Sequence, residues 1–453
     1  MKEHTMCARA RIFGVVVAVA FSGCASSQDR HYDRMWAQLR EAAPPDGATR
    51  SPHWGSHLDR EAYVTAVLER NPSIEAARQG WRAAVAHTPQ ATAVDDPRLE
   101  YAFAPLSIGA EDVSYGQVVT LTQRLPWPGK RGLRGEVALA EAEAAKDDYD
   151  ATRLRLALMA SILFDNYYAV GRALALNTEH AQLMKDIKAA TLAQYQAGRV
   201  SQQEPLSAEL ELAHVAHQRV VLKSRRAMLV AQMNSLLHRP PQASLPPPPE
   251  KLALPMQAVP DTETLQARAL ANRPLLHASH SLSRSRAFAV DLADRDYYPD
   301  VGLMAQYNSM WRETEHQWML GISFAIPIQL GAKDAAVEQA EARLSQSRSQ
   351  IAALEDRIRA EVETARQKLI EAQHVIHLYR ERLIPTVRAQ IEAAQVAYAT
   401  GRGSFQALID AERSLRSIQL SYEEAVATLA RRQAELSRAT GQIPGLPEGQ
   451  VKP

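Results

Sequence analysis

The sequence of 453 residues contains an internal repeat with an offset of about 202 residues. Self-similarity over most of a chain predicts two copies of one layout of helices and strands. We therefore predict a first repeat at residues 58–238 and a second at residues 261–441. Four landmarks recur in one order: Asn71-Pro72 with Arg273-Pro274, Asp96-Pro97 with Tyr298-Pro299, Leu125-Pro126 with Ile326-Pro327, and Gly198-Arg199 with Gly401-Arg402.

The segment between the repeats, residues 239–260, is rich in proline. It contains eight of the 25 prolines, including the run Pro246 to Pro249. Proline runs favour an extended polyproline conformation, so we interpret this segment as a linker. Residues 24–57 and 442–453 then form an N-terminal and a C-terminal tail.

Each repeat contains the same predicted elements in the same order: a helical stretch, a pair of strands, and two helices in a long hairpin. At 1.5 Å per residue, the first long helix would span roughly 100 Å. The helical stretches lie at about residues 58–88 and 262–295, the strands at 99–104, 115–125, 301–308 and 317–326, and the hairpin helices at 131–196, 202–237, 333–400 and 404–440.

The second long helix carries a coiled-coil pattern. Apolar or small residues recur at alternating steps of three and four from Val337 to Ile376. Consecutive four-residue steps between Leu354 and Val362 predict a stutter, which locally unwinds a left-handed supercoil. Pro385 predicts a kink or an end of the helix, since proline cannot donate the backbone hydrogen bond.

The predicted strands alternate so that one face is apolar, most clearly at residues 301–307 and 318–326. Two such hairpins cannot close a barrel, and an open strand edge is not tolerated in lipid. The strands therefore predict a barrel shared between chains, and three chains with four strands each would close one of twelve strands. The predicted fold class is an α+β membrane protein with long coiled-coil hairpins and four transmembrane strands per chain.

The N-terminus has the pattern of an export signal. Basic residues precede the short apolar stretch of residues 12–21, and Phe21-Ser22-Gly23-Cys24 follows it. The last four residues resemble a bacterial lipoprotein lipobox, in which the cysteine is acylated, so residues 1–23 are predicted to be removed and Cys24 to be lipidated. An ordinary secretory signal cut near Cys24 is the alternative.

The net charge of +1 argues against nucleic acid as a partner, because no strongly basic field or basic run with interleaved aromatics is present. No nucleophile elbow, zinc-protease, Cys-x-x-Cys or Walker motif occurs in the sequence. The sequence therefore predicts neither an enzyme nor a bound cofactor.

Over nearly the whole mature chain, the sequence resembles the TolC-like outer membrane efflux family. The resemblance rests on the duplicated layout, on the Tyr-x-x-Gly-Arg turns at residues 195–199 and 398–402, and on the segment Gln123 to Lys130 after the second strand. It implies a lipid-anchored homotrimer in the bacterial outer membrane, with a twelve-stranded barrel and an α-helical periplasmic tunnel. It also implies a periplasmic adaptor and an inner membrane transporter of the resistance-nodulation-division type as partners.

The segment Leu125 to Lys130, with its Pro-Trp-Pro-Gly-Lys run, is similar to members that serve heavy-metal cation pumps. The expected function is passive export of small solutes, with metal cations favoured. Drug or organic-solute efflux, or a type I secretion duct, are alternatives within the family. A coiled-coil scaffold lipoprotein that spans the periplasm is an alternative of another class.

The resemblance places the Gly-Arg turns at the tunnel tip, where the adaptor docks, so Gly198, Arg199, Gly401 and Arg402 are the candidate contacts. Simple helix termination, with glycine at positive φ, is the alternative reading of the glycines. The segment around Asp410 resembles the one that narrows the periplasmic end, and three such carboxylates would form a gate that disfavours anions. A solvated helix acid is the alternative.

The junction between the second strand and the first long helix contains Trp127, Lys130 and Arg131. We interpret these residues as part of a girdle at the membrane interface, where aromatic and charged side chains are favoured. A buried tryptophan in a turn is the alternative for Trp127.

Histidines stand three residues apart in three pairs, at residues 214 and 217, 277 and 280, and 374 and 377. We favour polar helix faces over a metal site, because none of the pairs recurs in the other repeat. Glu-x-x-His at Glu211 and Glu371 matches half of a di-iron signature. A compact bundle is needed for that site, and the long helices argue against it.

Overall fold

The computed structural model describes residues 27–43, 54–109, 115–252 and 258–446; Cys24 and residues 1–23 lie outside these ranges. Within them the chain forms ten α-helices and four strands. Before and in the first repeat these are α1 (Ser27–Glu41), α2 (Arg60–Arg70), α3 (Pro72–Thr92), β1 (Arg98–Phe103), β2 (Gln117–Leu125), α4 (Lys130–Gln196) and α5 (Gln203–Leu236). In the second they are α6 (Thr262–Asn272), α7 (Pro274–Arg295), β3 (Val301–Asn308), β4 (Trp318–Phe324), α8 (Leu330–Leu378), α9 (Ile384–Ala399) and α10 (Phe405–Ala439).

The first helical stretch of each repeat is two helices, where the sequence predicted one. The break falls before Pro72 and before Pro274. Asn71 and Arg273 have extended backbone angles, because the residue before a proline is driven away from the helical region. Proline at the first position of a helix is favoured, so the same residue ends one helix and begins the next.

The four strands form one antiparallel sheet in the order β1-β2-β3-β4. Direct partners share a face, and one face is apolar across the sheet: Leu99, Leu121, Ala305 and Leu320 form one row, and Tyr101, Val119, Tyr307 and Trp318 the next. The opposite face includes a row formed by Glu100, Thr120, Gln306 and Met319. The apolar face is exposed, with Leu320 at 79% accessibility, and among the described residues β1 and β4 each leave one edge unpaired.

The helix α4 is continuous over 67 residues, and α8 over 49. The seam of α8 is buried at Ile351, Ile358 and Val362 and on to Ile376, as the coiled-coil pattern predicted. A five-residue π-helical turn, Tyr379–Leu383, separates α8 from α9, and Pro385 lies in the first turn of α9. The wider turn accommodates the missing proline N–H, so the predicted irregularity at Pro385 is present.

Among the described residues, no helix combines the length and the apolar composition needed to cross a bilayer.

The chain divides into two compact units, each built from both repeats. One comprises residues 1–43, 78–147 and 278–351, and it contains the sheet. The other comprises residues 44–77, 148–277 and 352–453. Its main core packs α2, the middle of α4 and the end of α5 around Tyr63, Phe164, Tyr167 and Met233.

Candidate functional site at the helical tip

The two Gly-Arg turns end α4 and α9 with the same hydrogen-bond pattern. Gly198 and Gly401 have φ of 68° and 71°. Arg199 N–H donates to Gln194 O and Gly198 N–H to Tyr195 O, both at 2.9 Å. This is a Schellman motif, in which a left-handed residue satisfies the last helix carbonyls. The alternative reading of these glycines, helix termination at positive φ, is confirmed, and their contact with an adaptor stays a prediction.

The side chains of Arg199 and Arg402 are exposed beside these turns. The backbone of each arginine closes its turn, so the conformation of the turn does not require a charged side chain. Both guanidinium groups are therefore accessible at the helical tip, the ends of the two hairpins at residues 198–199 and 401–402. The predicted contact with an adaptor requires this accessibility.

The helices that follow the turns begin differently in the two repeats. Ser404 Oγ accepts a hydrogen bond from Ala407 N–H at 3.2 Å and caps α10. Ser201 and Glu204 have the Ser-x-x-Glu spacing of a capping box, but the residue before α5 is Gln202, and among the described residues no side chain caps this helix.

Glu204 is instead the acceptor of a contact between the repeats. Tyr398 Oη donates to Glu204 Oε2 at 2.7 Å, and it lies 3.3 Å from Gln194 Oε1. Burial, together with the neighbouring Glu204 carboxylate, raises the pKa of Tyr398. The phenol therefore stays protonated and keeps donating, so it links α9 to the first-repeat hairpin.

An apolar cluster supports this link. Met184, Ala208, Phe405 and Ile409 are buried against one another, and Tyr398 packs on the same cluster. The ring centroids of Tyr398 and Phe405 are 5.6 Å apart. Both hairpins of the tip are therefore held by packing as well as by the polar contact.

Asp410, the predicted gate residue, lies exposed on the first part of α10. Its Oδ1 accepts from Gln406 Nε2 at 3.0 Å and pairs with Arg413 Nη1 at 3.3 Å. The negative charge is thus partly compensated within its own helix.

The membrane-interface candidates occupy the junction of β2 with α4. Lys130 is buried, and its Nζ donates to Tyr298 O and to Asp300 Oδ1, both at 3.0 Å. Trp127 is half-buried and stacks on Tyr298 at 5.4 Å. The structure therefore places Lys130 in an internal cluster that joins the two repeats, because a buried ammonium requires a carboxylate partner.

Arg131 is exposed, and its Nε donates to Thr92 O at 2.9 Å. Of the three interface candidates, it alone presents its charge at the surface. Contact of these residues with lipid stays a prediction.

All six histidines of the three pairs are exposed, and Nε2 of His277 lies 2.9 Å from Ala271 O. Within the part of the chain that the structure describes, no group of three His, Cys, Asp or Glu side chains could hold a metal ion. Glu211 and His214 do not share a site, since Glu211 is buried against two arginines while His214 is exposed.

Sequence reasoning missed the partners of Tyr398 and Glu211. Tyr398 lies in the recurring Tyr-x-x-Gly-Arg motif, which singled out its turn but not its phenol. Glu204 and Glu211 belong to the other repeat, and no local pattern pairs them with residues some 200 positions away. Only the fold shows these contacts.

Comparison with known proteins supports this reading of the fold. Residues 265–442 match the family model described as outer membrane efflux protein. Nodulation protein T of Rhizobium leguminosarum bv. viciae is 23% identical over 411 residues, which cover 86% of this chain and 83% of that protein.

Solved structures share the fold at low identity. The CmeC outer membrane channel of Campylobacter jejuni is 16% identical, with a TM-score of 0.70 over 86% of this chain and 87% of that chain. CusC is 15% identical, with a TM-score of 0.72 over 88% of this chain and 96% of that chain. The crystal structures of CusC concern its folding and its formation of a transmembrane channel.

The similarity to these structures shows the fold of the chain. It is the TolC-like fold, with long helices and a four-stranded sheet. The match to the outer membrane efflux protein family lies in the second repeat, and the solved structures that share the fold include outer membrane channels.

Proposed function

We propose that this protein is the exit duct of a tripartite efflux system and that it passively conducts small cations, metal ions among them, across the outer membrane. The observation that carries the channel is the four-stranded sheet, which exposes an apolar face and leaves both outer strand edges unpaired in the part of the chain that the structure describes. Unpaired edges are costly in lipid, so other copies must complete the sheet. Three copies would close a barrel of twelve strands.

We propose that Cys24 is lipidated, because residues 21–24 resemble a lipoprotein lipobox. The helix α1 begins at Ser27, and Gln28 Nε2 donates to Gly132 O at 2.9 Å and to Glu136 Oε1 at 2.8 Å.

The exposed arginines at the tip support docking of a periplasmic adaptor, and the resistance-nodulation-division type of pump follows from the family resemblance. The preference for metal cations rests on the similarity of the Pro-Trp-Pro-Gly-Lys segment alone. Tolerance of a deletion strain to a panel of metals and drugs tests it: lost metal tolerance supports a cation duct, whereas lost drug tolerance alone supports an organic-solute duct.

Conductance in planar bilayers tests the channel itself. The detergent-extracted, full-length protein is expected to form ion-conducting pores, whereas a periplasmic scaffold would give none. The oligomeric state of the same sample, from light scattering, should be three copies.

The proposed gate at Asp410 predicts cation selectivity. Replacing Asp410 with asparagine removes three carboxylates from the narrowest part of the trimer, so the ratio of cation to anion permeability should fall by about twofold or more. The ratio is obtained from the reversal potential in a salt gradient. Asp356→Asn is the matched control, because Asp356 pairs with Arg359 at i,i+3 as Asp410 does with Arg413. An equal effect of both variants would contradict the gate.

A further inference from the structure

A cavity of about 290 Å³ lies where the end of α10 and the start of α7 face the first third of α4. The residues that line it all belong to one of the two compact units. Charged side chains line the cavity together with apolar ones: Asp148, Leu154, Arg155, Arg273, Leu275 and Arg438. The cavity can therefore hold a ligand that has both a charged and an apolar part.

Arg273 and Arg438 share one carboxylate, Glu361 of α8. Arg273 is 4% exposed, and its Nη1 lies 3.1 Å from Glu361 Oε2, while Arg438 pairs with the other oxygen. Burial lowers the pKa of Arg273, and the positive charge of Arg438 acts in the same direction against Glu361. One carboxylate thus faces two guanidinium groups, so it compensates only one of their two charges.

The first repeat builds the same junction between helix ends without charge. Asn71 occupies the position of Arg273, and its Nδ2 donates to Leu236 O at 2.9 Å, as Arg273 Nη1 donates to Ala439 O at 3.2 Å. The residue before each of these carbonyls is Ser235 in the first repeat and Arg438 in the second. A neutral donor is therefore sufficient to join the helix ends, and the junction does not require the two positive charges of the second repeat.

Arg155 of α4 adds a third positive charge at the cavity. It is exposed, and it forms no ion pair with any residue that the structure describes. Asp148 lies two turns away on the same helix, roughly 10 Å along its axis. Burial raises the pKa of Asp148, whereas a close arginine would lower it, so Asp148 does not compensate the three arginines.

The charges at the cavity match an anion with two negative charges. Glu361 compensates one of the three arginines, and two positive charges remain. A phosphate monoester carries close to two negative charges at pH 7.5, since its second pKa is about 6. Its three terminal oxygens can accept hydrogen bonds from several guanidinium groups, which bind phosphate through paired N–H donors.

We propose that this cavity is a binding site for a small organic phosphate monoester. The phosphate lies among Arg155, Arg273 and Arg438, and a short apolar substituent packs against Leu154 and Leu275. The site is separate from the proposed gate, because Asp410 and Arg438 lie near opposite ends of α10, roughly 42 Å apart along the helix axis.

The test is isothermal titration calorimetry of the full-length protein in detergent at pH 7.5 and low salt. Butyl phosphate should bind at one site per chain, at least about fivefold more tightly than inorganic phosphate, because its carbon chain buries apolar surface. Diethyl phosphate, a singly charged diester like the phosphate of a phospholipid, should bind more weakly than butyl phosphate. Equal binding of the diester would overturn the match to a doubly charged monoester.

Arg155→Gln should weaken the binding of butyl phosphate by about fivefold or more, because it removes a charged donor from the site. Arg153→Gln is the matched control. Arg153 lies on the same helix but outside the cavity, and it pairs with Asp150 Oδ1 at 3.6 Å. Its affinity should equal that of the unmodified protein. Equal weakening in both variants would show a general effect of net charge and would overturn the site.

Asp148→Asn provides a second variant with the opposite expected sign. It removes a carboxylate that repels the ligand, so the affinity for butyl phosphate should rise by about twofold. Weaker binding by this variant would contradict the proposed position of the phosphate.

The outcomes for this site and for the channel are distinguishable. If no probe binds to the unmodified protein, the site is wrong, while conductance in planar bilayers still decides the channel. If butyl phosphate binds and Arg155→Gln weakens the binding, the site stands whether or not the protein conducts ions.

Discussion

At the scale of single residues, the charged groups buried between the helices carry the most information. His180 is buried on α4 beside Arg416 and Glu211. Burial, together with the positive charge of Arg416, lowers the pKa of His180 to about 4 against the opposing effect of Glu211. The imidazole is therefore neutral in the folded protein at neutral pH, in an environment that disfavours its charged form.

His180 predicts a loss of stability in mild acid. Between pH 6.5 and 4 the unfolded chain binds a proton at His180 and the folded chain does not, so the free energy of unfolding falls as pH decreases through this range. Relative to neutral pH, the contribution at pH 4.5 is on the order of 2 kcal/mol. Thermal unfolding at pH 7.5 and 4.5 measures it.

His180→Gln should show a smaller difference between the two pH values than the unmodified protein. His214→Gln, an exposed histidine on α5, is the control and should leave the difference unchanged. An undiminished acid sensitivity of His180→Gln would show that other groups cause it.

At the scale of elements, the repeated turns show how a local signal fixes a helix end. Gly401 has φ of 71°, and a Cβ added to it would meet nothing within 4 Å. The requirement for glycine is therefore conformational and not steric, since other residues avoid this region. The same holds for Gly198, which explains why the motif recurs in both repeats.

Gly401→Ala is expected to lower the free energy of unfolding by about 1 kcal/mol, the cost of a left-handed alanine. Thermal unfolding followed by circular dichroism measures the change. Gly331→Ala in the first turn of α8 also has open space around it, but no positive φ, so it should be neutral or slightly stabilising. Equal effects at both positions would argue against backbone strain at Gly401.

At the scale of the whole molecule, the two repeats fold together and not side by side. Each compact unit takes segments from both repeats, and β2 of the first pairs with β3 of the second. The sheet so formed has a mainly polar row, ending in Met319, on one face and apolar residues on the other, with the apolar face exposed. An exposed apolar surface of this kind indicates an interaction with lipid or with other copies.

The orientation of the sheet in the membrane predicts opposite results for two neighbouring residues of β4. Leu320→Arg places a charge on the lipid-facing side and should cost about 2–4 kcal/mol near the midplane of the bilayer, so less protein inserts and folds. Met319→Arg lies on the other face and should insert normally while changing ion selectivity. Heat-modifiable mobility of the protein in lipid vesicles measures insertion. Equal insertion of both variants would contradict this orientation.

The sequence alone determined the layout of the repeats, the positions of the four strands with their apolar face, and the glycine turns. These features depend on periodicity, on proline and on φ preferences, which act over a few residues. The sequence also predicted that the two Gly-Arg turns lie at the tip of the helical hairpins. Before each pair of strands it predicted one helix where the structure has two, because helical periodicity is the stronger signal over these stretches than a single proline.

The tertiary structure decided which charged side chains meet. Lys130 is buried against Asp300, Glu204 accepts from Tyr398, and Glu211 holds two arginines of α10. Each contact joins residues that lie between 170 and 205 positions apart. A local pattern can place a charge on a helix face, but its partner depends on how two distant helices or strands pack, and that packing is a property of the whole fold.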